Sequence, residues 1–284
     1  AGGGTDTAAR LINLQLGEAL GQPVIIENRA GASGNIGIAS VAKSTPDGYT
    51  LLVCSSAFVV NPSLFANQSY DPFTDFEPIM VLGAAPNVFT VPAKSEIKSM
   101  KEFIDKAKAS PGKMNWTTPG MGTTPYSAGE FLKTAAGIEM VHVPFTGAGP
   151  ATQAAIAGQV DLYAANLGSL MGQIDGGQLR PLAVTAEKRW PPLPDVPTLV
   201  ELGIKDAVSD TFQAVYAPKG TPKPVVDRLV KEIGAILARA DVKDRFAKSG
   251  LPVTAEPPDV FKKRLEREVP MFKTILEKAG IKPR

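Results

Sequence analysis

The stretch that decides the fold is 140–164, which has the sequence MVHVPFTGAGPATQAAIAGQVDLYA. Its two ends, around 140–143 and 160–164, are short and apolar, as is typical of buried strands. Between them lie a glycine-rich loop at 146–150 and a helix-forming run at 151–157. A strand, a helix and a second strand in this order predict parallel α/β layers, because parallel strands need a crossover connection.

The same alternation of helices and strands extends over the rest of the chain. Ala8, Ile12 and Leu16 recur at helical spacing and predict an opening helix. The apolar run Val24-Ile25-Ile26 predicts a buried strand. Further predicted helices lie at 36–42, 100–109, 126–136, 224–240 and 259–278, and further strands at 49–54, 88–91, 181–185 and 212–216. The predicted class is therefore α/β.

Two of these strands connect one set of elements with another. The strand at 88–91 leaves the first set, and the strand at 212–216 returns to it. We therefore predict a discontinuous lobe 1 made of residues 1–90 and 214–284, and a lobe 2 made of residues 91–213. The two crossing segments are expected to act as a hinge.

Composition excludes several classes of protein. The 284 residues include 30 Lys+Arg and 28 Asp+Glu, and the two signs are interspersed, so no basic surface for nucleic acid is expected. No apolar run reaches the roughly 18 residues of a membrane span. Because Cys54 is the only cysteine, the chain can form neither an intramolecular disulfide nor a cysteine-rich zinc site. We expect no metal and no cofactor.

Three glycine-rich loops stand directly before predicted helices, at 2–6, 120–125 and 146–150. The second and third each place a proline, Pro125 or Pro150, at the start of the helix. A helix N-terminus offers N–H groups and partial positive charge, and glycine lets a ligand approach the backbone closely. The loops therefore predict a site for a small anion. Because such loops normally follow a strand, we also expect a strand and an export signal before residue 1 in the full protein.

Signatures of catalysis are scarce. The loop at 31–37, GASGNIG, fits neither the dinucleotide fingerprint nor the P-loop. His142 is the only histidine and stands in an apolar context, which favours a structural role. Asp6 and Asp161 have no evident catalytic partner, and Asp6 is more simply a first-turn carboxylate that favours its helix. We therefore do not expect an enzyme.

Longer motifs resemble those of the Bug family, the extracytoplasmic receptors of tripartite tricarboxylate transporters. The similar segments are GGTD at 3–6, VIIENRAGA at 24–32, PDGYTLL at 46–52, HVPF at 142–145, GQVD at 158–161 and PDVPT at 194–198. They cover nearly the whole chain in the same order. The resemblance implies a two-lobed type II periplasmic binding protein fold, with a sheet of mixed strands flanked by helices in each lobe and a ligand cleft between the lobes.

The resemblance also implies a function and a set of contacts. The function is periplasmic capture of a small carboxylate, such as a di- or tricarboxylate, for the membrane subunits of a transporter, with the receptor expected to be a monomer. The ligand would be held largely by backbone groups. Carried over by position, the ligand-binding residues are Gly3, Gly4, Thr5, Asp6, Ser56, Ala57, Phe58, Thr123, Thr124, Pro125, Gly147, Ala148, Gly149 and Asn166.

Departures from the family pattern bear on the ligand. Many relatives carry an acidic residue where this chain has Ala165, so we predict a carboxylate that needs no amino group. Tyr126, Asn166 and Phe58 are the candidates for setting specificity. The alternatives left open are an amino-acid receptor, a ligand sensor for a membrane kinase, and, with less support, a regulatory domain or an α/β enzyme.

Overall fold

The computed structural model describes residues 4–67, 69–145, 147–204, 209–278 and 280–283. They form two compact units. Unit 1 contains the chain up to Ala84, Phe212–Thr274 and the residues from Lys282, and unit 2 contains Ala85–Thr211 and Ile275–Ile281. The chain thus passes between the units at 84/85 and 211/212, and again at 274/275 and 281/282 near its end. The lobe boundaries at 90/91 and 213/214 remain a prediction from the sequence.

Unit 1 is built on a sheet with the strand order β1-β7-β2-β8. Strand β1 pairs antiparallel with β7, and β8 pairs antiparallel with β2. Strands β2 and β7 also continue into unit 2. The elements of unit 1 are α1 Gly4–Leu20, α2 Asn35–Ala42, β1 Leu52–Ser55, α3 Ala57–Val60, β2 Phe76–Pro92, β7 Asp210–Pro218, α8 Lys223–Ala238, α9 Ala240–Lys248, β8 Val253–Glu256 and most of α10 Pro258–Lys278.

The core of unit 1 lies between this sheet and three helices. Ala8, Ile12 and Leu16 form one face of α1 and are at most 3% exposed. They share a cluster with the buried faces of α8 and α9, which include Ile233 and Phe246. Spacings of three to four residues place such side chains on one side of each helix, which is why these segments are amphipathic.

Unit 2 is built on a mixed sheet with the order β6-β2-β5-β3-β4. Strand β3 pairs in parallel with both β4 and β5, whereas β2 pairs antiparallel with β5 and β6. Its further elements are α4 Met100–Ala109, β3 Met114–Thr117, α5 Thr124–Ala136, β4 Met140–His142, α6 Ala148–Ala157, β5 Leu162–Asn166, α7 Leu167–Asp175 and β6 Leu179–Val184. Each of the three parallel strands is followed by a helix, so the predicted α/β alternation is present.

The predicted strand at Val24–Ile26 is wrong. No regular structure is assigned to residues 23–31, and the Ile25 side chain is 86% exposed. Val24 packs against the core of unit 1, and its carbonyl accepts a hydrogen bond from Asn13 Nδ2 at 3.5 Å. A strand needs a neighbouring strand for its backbone groups, and a short apolar run does not reveal whether one is present.

Other segments differ from prediction in length or were not predicted. The predicted strand at 88–91 is the end of the 17-residue β2, which is long because both units use it. Helices α3, α7 and α9 and strands β3 and β8 were not predicted. Helix α9 buries only Val242 and Phe246, so its apolar stripe is too narrow to stand out among charged neighbours.

The last helix, α10, is amphipathic and strongly charged. Phe261 and Leu265 are buried, while Arg264 donates to Glu256 Oε2 at 2.9 Å and to Glu268 Oε1 at 2.9 Å. A helix with this charge content suits the surface of a unit and not a lipid environment. Across the described part of the chain, no helix combines the length and apolar character needed to span a membrane.

Candidate functional site

One edge of the unit 2 sheet collects half of the predicted binding residues. Because β3, β4 and β5 are parallel, their carboxyl ends lie at the same edge, and α5, α6 and α7 begin there. The end of β3 and the loop after β4 are joined directly, since Thr117 Oγ1 donates to the Val143 carbonyl at 2.7 Å. The structure therefore brings Thr123–Pro125, Gly147–Gly149 and Asn166 to one edge.

The start of α5 is organised by inward-facing side chains. Thr123 is the N-cap residue but does not cap through its side chain. Its Oγ1 instead donates to the Gly120 carbonyl at 2.6 Å, which closes the loop before the helix. Thr124 is 1% exposed and Pro125 is also buried. Any contact from this helix start to a ligand would thus come from the backbone or from Thr123.

The start of α6 is more open. Gly147, the N-cap residue, has φ 125° and ψ 174°, a conformation that essentially only glycine adopts. Ala148 and Gly149 are exposed. The Tyr163 hydroxyl lies 3.1 Å from Thr152 Oγ1, and burial raises the pKa of Tyr163, so its hydroxyl keeps its proton near neutral pH. Tyr163 thus contacts the second turn of α6, whereas Ala148 and Gly149 in the first turn are exposed.

Asn166 ends β5 and caps α7. Its Oδ1 accepts from the Gly168 backbone N–H at 3.1 Å, and its Nδ2 donates to the Ala85 carbonyl at 3.2 Å. Such capping satisfies one of the N–H groups that a helix start leaves without an intrahelical partner. The Oδ1 and Nδ2 atoms of Asn166 are thus both engaged within the protein. Asn166 could set specificity only through further contacts of these atoms or through its backbone.

The only histidine lies beside the loop that precedes α5. The His142 ring packs edge-on against Trp116 and Tyr126, with centroid distances of 4.8 and 4.9 Å. Its Nε2 is 3.2 Å from Thr118 Oγ1. Burial, and to a smaller extent the Lys133 ammonium, lowers the pKa of His142 to about 4. The ring is therefore neutral at neutral pH, and these contacts support the predicted structural role.

This lowered pKa predicts a pH dependence of stability. Since the histidine pKa is about 6.5 in an unfolded chain, the unfolded state binds a proton between that pH and about 4 while the folded state does not. Stability is therefore lost as the pH falls through this window. Between pH 7 and pH 5, we expect the wild type to lose about 1 kcal/mol more than His142→Gln, after allowing for solvent screening. Urea unfolding at both pH values measures this difference, and equal losses would contradict it.

In unit 1, the predicted residues meet around a residue that was not predicted. Thr5 Oγ1 donates to Gln213 Oε1 at 2.8 Å. Gln213 is 5% exposed and pairs in register with Ser55 on β1. The Ser56 backbone N–H donates to the Phe212 carbonyl at 3.0 Å. Gln213 thus connects the start of α1 with the carboxyl end of β1.

The first turn of α1 contains the other predicted residues of unit 1. Gly4 begins the helix, whereas Gly3 lies outside the described residues. The Asp6 carboxylate is 8% exposed and accepts from Arg10 Nε at 3.0 Å and Asn28 Nδ2 at 2.9 Å. This is the geometry of a structural first-turn carboxylate. It also shows what the Asn28 side chain of the ENR motif does, since it ties residues 22–31 to α1.

Phe58, a predicted contact and specificity candidate, lies inside an aromatic cluster of unit 1. Phe58 is fully buried, with its ring centroid 4.1 Å from that of Tyr216 and 5.2 Å from those of Tyr70 and Phe76. An aromatic side chain in a filled cluster of this kind contributes packing. Its neighbour Ala57 is partly exposed and stays a predicted contact.

The positive charge near the candidate residues comes from helix N-termini and not from charged side chains. None of the predicted residues is a lysine or arginine, and Asp6 is their only acid. The partial positive charge at the starts of α5, α6 and α7 therefore favours an anion at this edge of unit 2. Within the described ranges, no group of three or more His, Cys, Asp or Glu residues is placed to hold a metal ion.

Two buried polar residues in apolar strands were missed by sequence reasoning. Gln213 lies in β7 and Asn87 in β2, and they are 5% and 0% exposed. Both interrupt runs that are otherwise apolar. A polar residue within an apolar strand could have marked both positions in the sequence, because a buried amide must find hydrogen-bond partners.

Comparisons with known proteins agree on the family. Residues 8–281 match the profile of the family described as "Tripartite tricarboxylate transporter family receptor". The protein BugT of Bordetella pertussis (strain Tohama I) is 32% identical over 283 residues, which cover 99% of this chain and 87% of BugT. A match over nearly the whole chain means that the family assignment applies to both units.

Solved structures give the same result. The structure of an R. palustris protein with adipate has a TM-score of 0.89 and 33% identity, and the match covers 100% of this chain and 95% of that one. MatC from Rhodopseudomonas palustris with bound malate has a TM-score of 0.85 and 30% identity, with coverages of 97% and 95%. The α/β periplasmic binding protein fold is thus confirmed. The chain belongs to the tripartite tricarboxylate transporter receptor family, the Bug family of periplasmic solute-binding receptors, which is not a family of enzymes.

Proposed function

We propose that this protein captures a small di- or tricarboxylate in the periplasm and delivers it to the membrane subunits of a tripartite transporter. The observation that carries the proposal is the gathering of the α5, α6 and α7 starts at the carboxyl ends of three parallel strands. Helix starts bind anions through backbone N–H groups and the helix dipole. The adipate and malate in two similar structures support a carboxylate as the anion.

The proposed contacts divide by unit. In unit 2 they are Thr123, the backbone at Thr124 and Pro125, Gly147–Gly149 and the remaining surface of Asn166. In unit 1 they are the backbone of Gly3–Asp6 and residues Ser56 and Ala57. Phe58 and the Asp6 carboxylate serve the fold instead, because the first is fully buried and the second is bonded to Arg10 and Asn28.

The ligand is proposed to be an acid without an amino group. An ammonium group needs an acidic or carbonyl partner, and the one acid among the candidate residues, Asp6, is already engaged by two donors. Ala165, the position at which the sequence departs from the family pattern, is fully buried and pairs with Val88 in the sheet. In this proposal the protein performs no catalysis and acts as a monomer that the membrane subunits recognise.

Isothermal titration calorimetry against a panel of acids tests the proposal. The panel contains adipate, malate, citrate, aspartate, glutamate and ATP, each titrated into the intact protein at neutral pH. We expect binding of at least one of the first three and none of the amino acids or ATP. A ligand at 100 times its Kd should also stabilise the fold by about 2.7 kcal/mol, which thermal unfolding would confirm.

Each contrary outcome has a distinct meaning. Binding confined to aspartate or glutamate would overturn the amino-group argument while leaving a periplasmic receptor. Binding of ATP alone would overturn the carboxylate as the ligand and reopen the enzyme alternative.

A further inference from the structure

A fully buried asparagine joins three elements of unit 2. The Asn87 side-chain Oδ1 accepts from Thr211 Oγ1 at 3.0 Å, and Thr124 Oγ1 lies 3.4 Å from the same oxygen. Its Nδ2 donates to Ser209 Oγ at 3.2 Å, and its backbone N–H donates to Thr185 Oγ1 at 2.9 Å. We call these five residues, Asn87, Thr124, Thr185, Ser209 and Thr211, the Asn87 cluster.

Packing alone does not require a polar residue at this position. The neighbours of Asn87 in β2, such as Val88 and Phe89, are apolar and fully buried. Burying an amide costs free energy unless each of its groups finds a partner, and a well-packed apolar residue often serves stability as well. We therefore look for the role of Asn87 in the segments whose positions its hydrogen-bond partners fix.

One of these places is the start of α5. Thr124 is the first residue of that helix, and its Oγ1 also lies 2.6 Å from Thr211 Oγ1. Its side chain is thus turned into the cluster, while Thr123, one residue earlier, closes the loop on Gly120. Together these bonds fix the backbone at the helix start from both sides.

The other place is the pair of strands through which the chain enters and leaves unit 2. Asn87 follows the division at 84/85 by a few residues, and Thr211 is the last residue of unit 2 before Phe212. The cluster thus holds both crossing strands and the α5 start in one hydrogen-bonded group.

We propose that Asn87 and Thr211 are positioning residues that set the α5 backbone for ligand binding. This inference rests on the proposed function, because it assumes that the α5 start contacts the carboxylate. Neither side chain touches the ligand. Without the Thr211 hydroxyl, Thr124 loses its short contact and the first turn of α5 becomes more mobile. Ligand binding must then order this turn again, which lowers the affinity.

The test compares Thr211→Val, which removes the hydroxyl but keeps the shape, with Thr211→Ser, which keeps the hydroxyl. The Kd values for adipate and malate are measured by calorimetry on the intact chain. We expect Thr211→Val to raise the Kd by about tenfold and Thr211→Ser to stay within about twofold of the wild type.

Thr90→Val is the matched control. Thr90 lies in the same strand as Asn87, is fully buried, and donates from Oγ1 to the Tyr163 carbonyl at 3.2 Å. Its loss removes one buried hydrogen bond of the same kind without touching the Asn87 cluster. We expect a loss of stability like that of Thr211→Val with an unchanged Kd.

A double variant keeps the proposal falsifiable if stability falls as well. Thr124→Val removes the other partner of the same contact, so the double variant should bind like Thr211→Val alone, since coupled contacts are not additive. A wild-type Kd in Thr211→Val, or additive effects in the double variant, would overturn the positioning role alone. Failure of the wild type to bind adipate, malate and citrate would overturn the proposed function, and this inference with it.

Discussion

Gly129→Ala is expected to destabilise the protein by about 3 kcal/mol, although alanine is the better helix former. Gly129 lies inside α5, where a Cβ atom would stand 1.9 Å from Trp116 Cζ3 and 2.3 Å from Cη2. Trp116 is fully buried, and its ring is stacked on Tyr126 at 5.7 Å and packed against His142. The ring therefore has little room to shift, and α5 would have to move away from β3. Urea unfolding at neutral pH measures the loss.

Gly172→Ala provides the control for this variant. Gly172 lies inside α7, and a Cβ atom there would have no heavy atom within 4 Å. The same substitution should therefore stabilise the protein by about 0.5 to 1 kcal/mol, because only the helix propensity changes. Equal effects of the two variants would show that α5 does not approach Trp116 as closely as the structure has it.

Local patterns were sufficient to predict many helices and strands. Helix α4 spans Met100–Ala109, as predicted, because the sequence contains its own boundary. Ser99 Oγ accepts from the Glu102 backbone N–H at 3.1 Å, and Glu102 Oε2 accepts from the Lys98 N–H at 2.7 Å. Contacts that span only a few residues leave a readable trace in the sequence.

The errors arise where structure depends on distant partners. The run Val24-Ile25-Ile26 has the composition of a strand, but a strand is defined by its neighbours, and the local sequence does not contain them. The length of β2 has the same origin, because two units share it and neither can be recognised from the strand alone.

The candidate site divides in the same way. The starts of α5 and α6 could be located from glycines, threonines and prolines adjacent in the sequence. The residues that hold those starts could not, because Thr5 and Gln213 are 208 residues apart and Asn87 and Thr211 are 124 apart. Only the folded chain shows that Gln213 and Asn87, which lie in apolar strands, form hydrogen bonds with residues far away in the sequence.

In the proposed site of unit 2, the residues that would bind the ligand differ from those that support them. Side chains at the α5 start face inward, towards the Asn87 cluster, whereas Ala148 and Gly149 at the α6 start are exposed. A receptor that binds through the backbone leaves its side chains available to fix that backbone. Specificity can then change through loop geometry without the introduction of charged residues, which suits a family whose relatives hold acids as different as adipate and malate.

Gly147→Val is expected to weaken adipate or malate binding by about tenfold to a hundredfold. Gly147 has φ 125° and ψ 174°, where a residue with a side chain is strained by about 1 to 3 kcal/mol. A Cβ atom there would meet no heavy atom within 4 Å, so the loop can relax without a clash. If the ligand needs the present position of Ala148 and Gly149, binding must restore the strained backbone, and the strain energy appears as lost affinity. Calorimetry on the folded variant measures the Kd.

Gly177→Val separates this effect from strain in general. Gly177 has φ 64° and follows α7, and a Cβ atom on it would likewise meet no heavy atom within 4 Å. Gly177→Val should therefore cost at most about 1 to 2 kcal/mol of stability and keep the wild-type Kd, whereas Gly147→Val should lose affinity. An unchanged Kd in Gly147→Val would mean that the α6 start does not hold the carboxylate, and the site would then have to be sought at α5 and α7. Equal losses of affinity in both variants would instead mean that strain anywhere in unit 2 weakens binding, so that the α6 loop has no special role.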